Sequence, residues 1–241
     1  MQSDAVKSII TMIRNELNRN VDDKTRETSQ NFFKEPVNPY GVKTATVTMI
    51  GKTIYKAIEI KEKALIFQIC EELWKSGRLE ESFIACHFSY YIRKSYSSDD
   101  IFVFERWIEN YVSNWASCDT LCNHTMGEYL VMFPEHLTYL RKWTQSENRW
   151  MRRAAAVSLI IPGRNGIFHP EIFAIADCLL TDPDDLVQKG YGWMLKSASM
   201  ADQESVFKFV MERKTMMPRT ALRYAIEKMP QNQRKKAMEK A

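Results

Sequence analysis

Glycine and proline are scarce in this sequence, at eight each in 241 residues. Stretches of apolar–polar alternation are also rare, which argues against a sheet-built fold, and helix formers dominate instead. No uncharged apolar run approaches the roughly 18 residues of a membrane span, so no membrane partner is expected. The first residues, MQSDAVKSIITMIRNEL, are amphipathic and include acids. They lack the ordered basic, apolar and cleavage regions of a secretory signal, and a cytoplasmic location is expected. The five cysteines are odd in number and lie in apolar stretches: Cys70, Cys86, Cys118, Cys122 and Cys178. Buried thiols in a reducing compartment explain them more simply than disulfides. Cys118, Cys122 and His124 lie close together, but no second ligand pair completes a zinc site, so neither a metal nor a cofactor is expected.

What is present is ordinary for a soluble globular protein: 45% hydrophobic and 27% charged residues, net charge +4, isoelectric point about 8.7. This mild basicity has meaning only if the cations share a face. Nothing resembling a long apolar heptad array points to a dimer, and a monomer is expected.

Apolar residues recur with helical period in ten segments: 5–17, 62–76, 82–94, 100–112, 135–145, 148–161, 170–180, 183–199, 203–214 and 218–229. Short breaks such as SGR, SSDD, PGRNG and TDPDD separate many of them. Short helices on short loops predict antiparallel pairs. A weak repeat runs through the second half. RRAAAVSLI, QKGYGWMLK and LRYAIEKMP align with Arg153, Lys189 and Arg223 in register. A period of about 35–40 residues with two helices per unit is the signature of HEAT-like solenoids. The predicted fold is therefore all-α: a curved stack of antiparallel helix pairs, with the second helices lining a concave, basic groove. The plainer alternative is that each cation snorkels to solvent.

Several residues have chemistry to offer. NWASCDTL places Trp115 and Asp119 four apart, on one helix face. Asp119 is then either the cap of a helix starting there or a carboxylate held for chemistry. Lys189 and Trp193 are also four apart, and Gly190 and Gly192 lie between them. Helical glycines cost about 1 kcal/mol each relative to alanine. Their presence implies close approach by a neighbouring helix or by a ligand. Arg152 and Arg153 project about 100° apart, so only one faces a given surface. The repeat register favours Arg153, and an arginine there suits a bidentate phosphate contact. Trp115, Asp119, Arg153, Lys189 and Trp193 are expected to converge in one groove, where indole faces attract a cation, a carboxylate stabilises developing positive charge and basic groups hold an anionic polymer.

In FFKEPVNPYGVKTATV, NWASCD, ENRWMRRAAAV, DPDDLVQKGYGWMLKSAS and PRTALRYAIEKM, the sequence resembles the AlkD family of HEAT-like repeat DNA glycosylases. The resemblance covers most of the chain, and a single domain over residues 1–241 is expected. It implies that Asp119 is the catalytic carboxylate, that Trp115 and Trp193 contact the lesion and its sugar, and that Arg152 or Arg153 binds phosphate, with Lys189 and Arg223 extending the basic line. Ala116 departs from the polar residue expected there in many members. The implied partner is double-stranded DNA with alkylated bases, and the implied activity is monofunctional release of cationic alkylpurines such as 7-methylguanine and 3-methyladenine, without base flipping or strand nicking. Two other readings are a non-catalytic HEAT-like DNA-binding module and a protein–protein scaffold. The presence of Asp119 with both tryptophans disfavours the first, and the basic register disfavours the second.

Overall fold

A computed structural model describes residues 2–239. Regular structure among them is helical, and the one strand-like pairing is an isolated bridge between Asn38 and Arg78. The fold is all-α and built of HEAT-like helical repeats. Its contacts gather in two compact units, Met1–Leu121 and Cys122–Ala241.

The first unit contains α1 (Gln2–Arg19), α2 (Asp23–Ser29), α3 (Thr44–Ala57), α4 (Lys63–Lys75), α5 (Leu79–Tyr91), α6 (Asp100–Asn110) and α7 (Trp115–Thr120). The stripe Val6, Ile9, Ile10, Ile13 and Leu17 is buried, which gives α1 its inner face. That helix packs on α3 and α4, α3 and α4 both pack on α5, and α5 packs on α7. The α4–α5 reversal turns at Gly77, whose φ of 65° lies in the left-handed region that favours glycine.

The second unit contains α8 (Gly127–Met132), α9 (Leu137–Trp143), α10 (Arg149–Val157), α11 (Ile160–Arg164), α12 (His169–Cys178), α13 (Asp185–Ala198), α14 (Gln203–Arg213), α15 (Arg219–Ala225) and α16 (Gln231–Met238). The helices α10, α13 and α15 pack in succession, while α11 and α12 back α13. No helix among the described residues is long and apolar enough to cross a membrane.

The ten periodic segments miss α2, α3, α7, α8 and α16. The third helix, TATVTMIGKTIYKA, is rich in β-branched residues with low helix propensity, yet Val47, Ile50 and Ile54 are buried. Packing on α1 and α5 outweighs propensity there. Segment 148–161 is read as one helix, but the chain breaks at Ser158 and Leu159 between α10 and α11. PGRNG is read as a break, but Pro162 and Gly163 lie inside α11. Proline is tolerated in that first turn because its missing N–H would have no helical partner. Four cysteines are buried, as expected, but Cys178 is exposed at the end of α12.

Candidate functional site

In the first unit, α7 begins after Asn114, whose side chain accepts from the Ser117 N–H at 2.9 Å. The cap of this helix is therefore Asn114. Asp119 lies inside the helix, and the Leu121 N–H beyond it still donates to the carbonyls of Ser117 and Cys118. The backbone continues through a π-helical turn, Leu121–Met126, into α8. No new helix starts at Asp119, so the capping alternative does not describe it. Residue 119 is only 8% exposed. A nearly buried carboxylate is uncommon, and here its role is not that of a helix cap. Such π-turns are also frequent near functional sites.

Burial of Ser117 against α5 sets the orientation of α7. The Ser117 and Ser82 hydroxyls lie 3.0 Å apart, and the Cys86 thiol donates to the Ser117 carbonyl at 3.8 Å. Trp115 lies one turn before Asp119 on the same helix face, and its indole is half-buried. The indole N–H donates to the Phe32 carbonyl at 3.0 Å, and the ring stacks on Phe33 with centroids 5.6 Å apart. Trp115 and Ala116 form one side of a groove of about 460 Å³, with Phe32, Phe33, Phe83 and Lys43 among its other lining residues.

In the second unit, the three cations in register stand on three helices that pack in sequence, α10, α13 and α15. Gly190 meets Arg153 and Val157 of α10, and Gly192 meets Ala221 and Tyr224 of α15. Between them Tyr191 points inward, donating to the Leu180 carbonyl at 2.9 Å. At about 100° per residue, Lys189 and Trp193 fall on the opposite side of α13, between its two neighbours. Both are half-buried. Gly192 thus accommodates a neighbouring helix, whereas a Cβ at Gly190 would meet Arg153 and Val157 only at ordinary contact distance.

The cations differ in their surroundings. Arg153 is 5% exposed and donates to the Leu186 carbonyl. Arg152 is held by Asp182 at 2.7 Å and by the carbonyls of Ser146 and Glu147, both at 2.9 Å. Lys189 pairs with Asp185 at 3.0 Å. Arg223 is exposed and lines a second groove with Arg234 and Lys235.

Sequence reasoning includes Phe32 and Phe33 only within a family-like stretch, with no role for either, and does not single out Glu80 or Glu81. The two glutamates look like an ordinary acidic first turn of α5, yet both are buried. Packed partners carrying several donors explain that, and they lie far away in sequence, at Arg14 and at residues 40–42. Among the described residues no cluster of His, Cys, Asp and Glu is arranged to hold a metal ion.

The helical-repeat fold and the cation-bearing helices define a class of protein that comparison makes specific. The family model described as DNA alkylation repair enzyme matches residues 13–229, and the chain belongs to that family. It is similar in structure to a predicted DNA alkylation repair enzyme from Enterococcus faecalis, with a TM-score of 0.77 at 16% identity, covering 88% of this chain and 98% of that one. That likeness shows the shared fold. The alkylpurine DNA glycosylase AlkC of Pseudomonas fluorescens, solved bound to DNA containing an abasic site analogue, aligns with a TM-score of 0.47 at 14% identity, over 93% of this chain and 62% of that one. No curated protein matches the sequence.

Proposed function

We propose that this protein is a monofunctional DNA glycosylase of the AlkD type, acting as a monomer on cationic alkylpurines in duplex DNA. The observation that carries this reading is Asp119, a nearly buried carboxylate inside α7, one turn from Trp115, with the helix cap supplied by Asn114. Membership of the DNA alkylation repair enzyme family supports it.

The substrate supplies its own driving force. A base such as 7-methylguanine already carries positive charge. When the bond from C1′ to the base nitrogen breaks, its electron pair goes to the base, which leaves neutral. The positive charge passes to the sugar as an oxocarbenium-like centre, as in glycoside hydrolysis. In this reading the Asp119 carboxylate faces that charge, and preorganised electrostatics of this kind commonly contributes more to catalysis than any other single effect. Water adds at C1′ and gives up a proton. Trp115 and Trp193 offer indole faces to the cationic lesion and its sugar. No lysine nucleophile is required, so the product is an abasic site in an intact strand.

Arg153, Lys189 and Arg223 are assigned to the DNA backbone, with Arg152 holding the end of α10 through Asp182. In this reading the two compact units work as one DNA-binding domain. The test is base release from a duplex containing 7-methylguanine, with Asp119→Asn beside the wild type. Release by the wild type and loss in the variant is the expected result. Binding of the duplex with no release by either would return the protein to the non-catalytic class.

A further inference from the structure

We infer that the segment from Phe32 to Val42 is a strap that positions the Trp115 indole, with Phe33 and Tyr40 as positioning residues; this rests on the assignment of Trp115 to the lesion site. Two glutamates anchor the strap. Glu80 accepts from three consecutive backbone N–H groups: Tyr40 at 2.8 Å, Gly41 at 2.8 Å and Val42 at 2.9 Å. Glu81 is buried, accepts from both Arg14 Nε and a terminal nitrogen of Arg14 at 3.0 and 3.1 Å, and accepts from the Tyr40 hydroxyl at 2.6 Å. Buried carboxylates this fully engaged hold what they bind tightly, because losing a donor leaves charge stranded.

The other side of the segment is fixed by α2. The Arg26 guanidinium donates to the Tyr40 carbonyl at 2.9 Å, and the Asp22 N–H donates to the Gly41 carbonyl at 2.9 Å. Gly41 has φ of 94°, and a Cβ there would stand 2.6 Å from Arg26 Cβ. The residues 40–42 are thus clamped between α2 and the start of α5.

The far end of the strap reaches the indole. Gln30 donates to the carbonyls of Phe33 and Glu35 and accepts from the Val37 N–H, tying the turn together. From that turn the Phe32 carbonyl takes the Trp115 N–H and the Phe33 ring takes one face of the indole. The Phe32 ring itself is 71% exposed, so its packing does not account for the arrangement. These two contacts hold a half-buried indole at the first residue of a six-residue helix. A shift of about 1 Å in a positioning group can cost about a hundredfold in rate.

The experiment uses the full chain with indole-¹⁵N tryptophan, the Trp115 signal being assigned by its loss in Trp115→Phe. The expected result is slow exchange of the Trp115 indole proton in the wild type, at least about tenfold faster exchange in Phe33→Ala, intermediate exchange in Tyr40→Phe, and recovery in Phe33→Tyr. Unchanged exchange in Phe33→Ala overturns the inference whether or not the protein releases bases. A paired measurement reads function. Phe33→Ala should lower the release rate about fivefold or more with duplex affinity kept, and the loss should vanish when Trp115 is already alanine. Equal losses in both backgrounds would contradict action through Trp115. Wild-type protein that shows the protected indole but releases no base would sink the glycosylase reading and leave the strap standing.

Discussion

Gly192 and Ala221 bring α13 and α15 into backbone contact: a Cβ on residue 192 would stand 2.8 Å from the Ala221 carbonyl oxygen and 2.7 Å from Tyr224 Cβ. Neither atom is the end of a flexible side chain, so Gly192→Ala must push the helices apart. Overpacking of this kind typically costs about 1–3 kcal/mol, more than the roughly 1 kcal/mol gained in helix propensity. At Gly190 the nearest atom is Arg153 Cγ at 3.4 Å, an ordinary contact distance, so a Cβ there requires no shift. Chemical denaturation should therefore show Gly192→Ala clearly destabilised and Gly190→Ala as stable as the wild type or up to about 1 kcal/mol more stable. Equal midpoints would mean that the two helices are not in the contact described.

Duplex binding should weaken steeply with salt, because phosphate contacts release counterions. Arg223 is exposed, so Arg223→Ala should lower affinity for every duplex about equally and reduce the salt slope by about one, with stability unchanged. Arg153→Ala should also weaken binding, but with a cost in stability, because it strips the buried Leu186 carbonyl of a donor. Affinity indifferent to salt would rule out the basic face of the second unit as the DNA contact.

Cys178 is exposed, while Cys70, Cys86, Cys118 and Cys122 are buried. Burial also pushes the Cys70 and Cys86 thiols well above their ordinary ionisation range. Only thiolates react rapidly, so a maleimide reagent at neutral pH should titrate one thiol in the native protein and the other four on unfolding. Rapid labelling of a second thiol would show that the core opens far more readily than its packing implies.

Alkaline pH should unfold the protein by a route readable from two desolvated tyrosines, the half-buried Tyr40 and the buried Tyr191. Desolvation, with the hydrogen bond to Glu81, pushes the Tyr40 hydroxyl up to about 12, and burial raises Tyr191 as well. These groups are neutral when protonated and hold their protons more tightly folded than unfolded. Unfolding releases protons once the pH passes the ordinary tyrosine value of about 10, so stability is lost as pH rises from there. The thermal midpoint should fall between about pH 10 and pH 12, less steeply in Tyr40→Phe. An identical slope in that variant would exclude Tyr40 as a contributor.

Much of this architecture is legible in the sequence because most helices carry an apolar stripe of helical period. The register of Arg153, Lys189 and Arg223 does mark three helices packed in succession. Where packing replaces pattern, the sequence is silent. The third helix is β-branched and held by its neighbours, and the buried Glu80 and Glu81 are indistinguishable in sequence from a solvated acidic turn. Asp119 shows the same limit. Its spacing from Trp115 can be read directly, but only the position of the cap at Asn114 removes the competing role.

Asp119 is the residue on which the proposed chemistry turns, and Asp119→Asn isolates its charge because the change is nearly isosteric and the helix cap lies elsewhere. Loss of a preorganised electrostatic group commonly costs about 2 kcal/mol or more in the transition state. The decisive measurement is the single-turnover rate of 7-methylguanine release from duplex DNA, taken beside the thermal midpoint and duplex affinity. The expected result is a rate reduced by more than about tenfold, with the protein still folded and duplex affinity retained. Release at the wild-type rate by a folded, DNA-binding Asp119→Asn protein would contradict the assignment of Asp119 to catalysis.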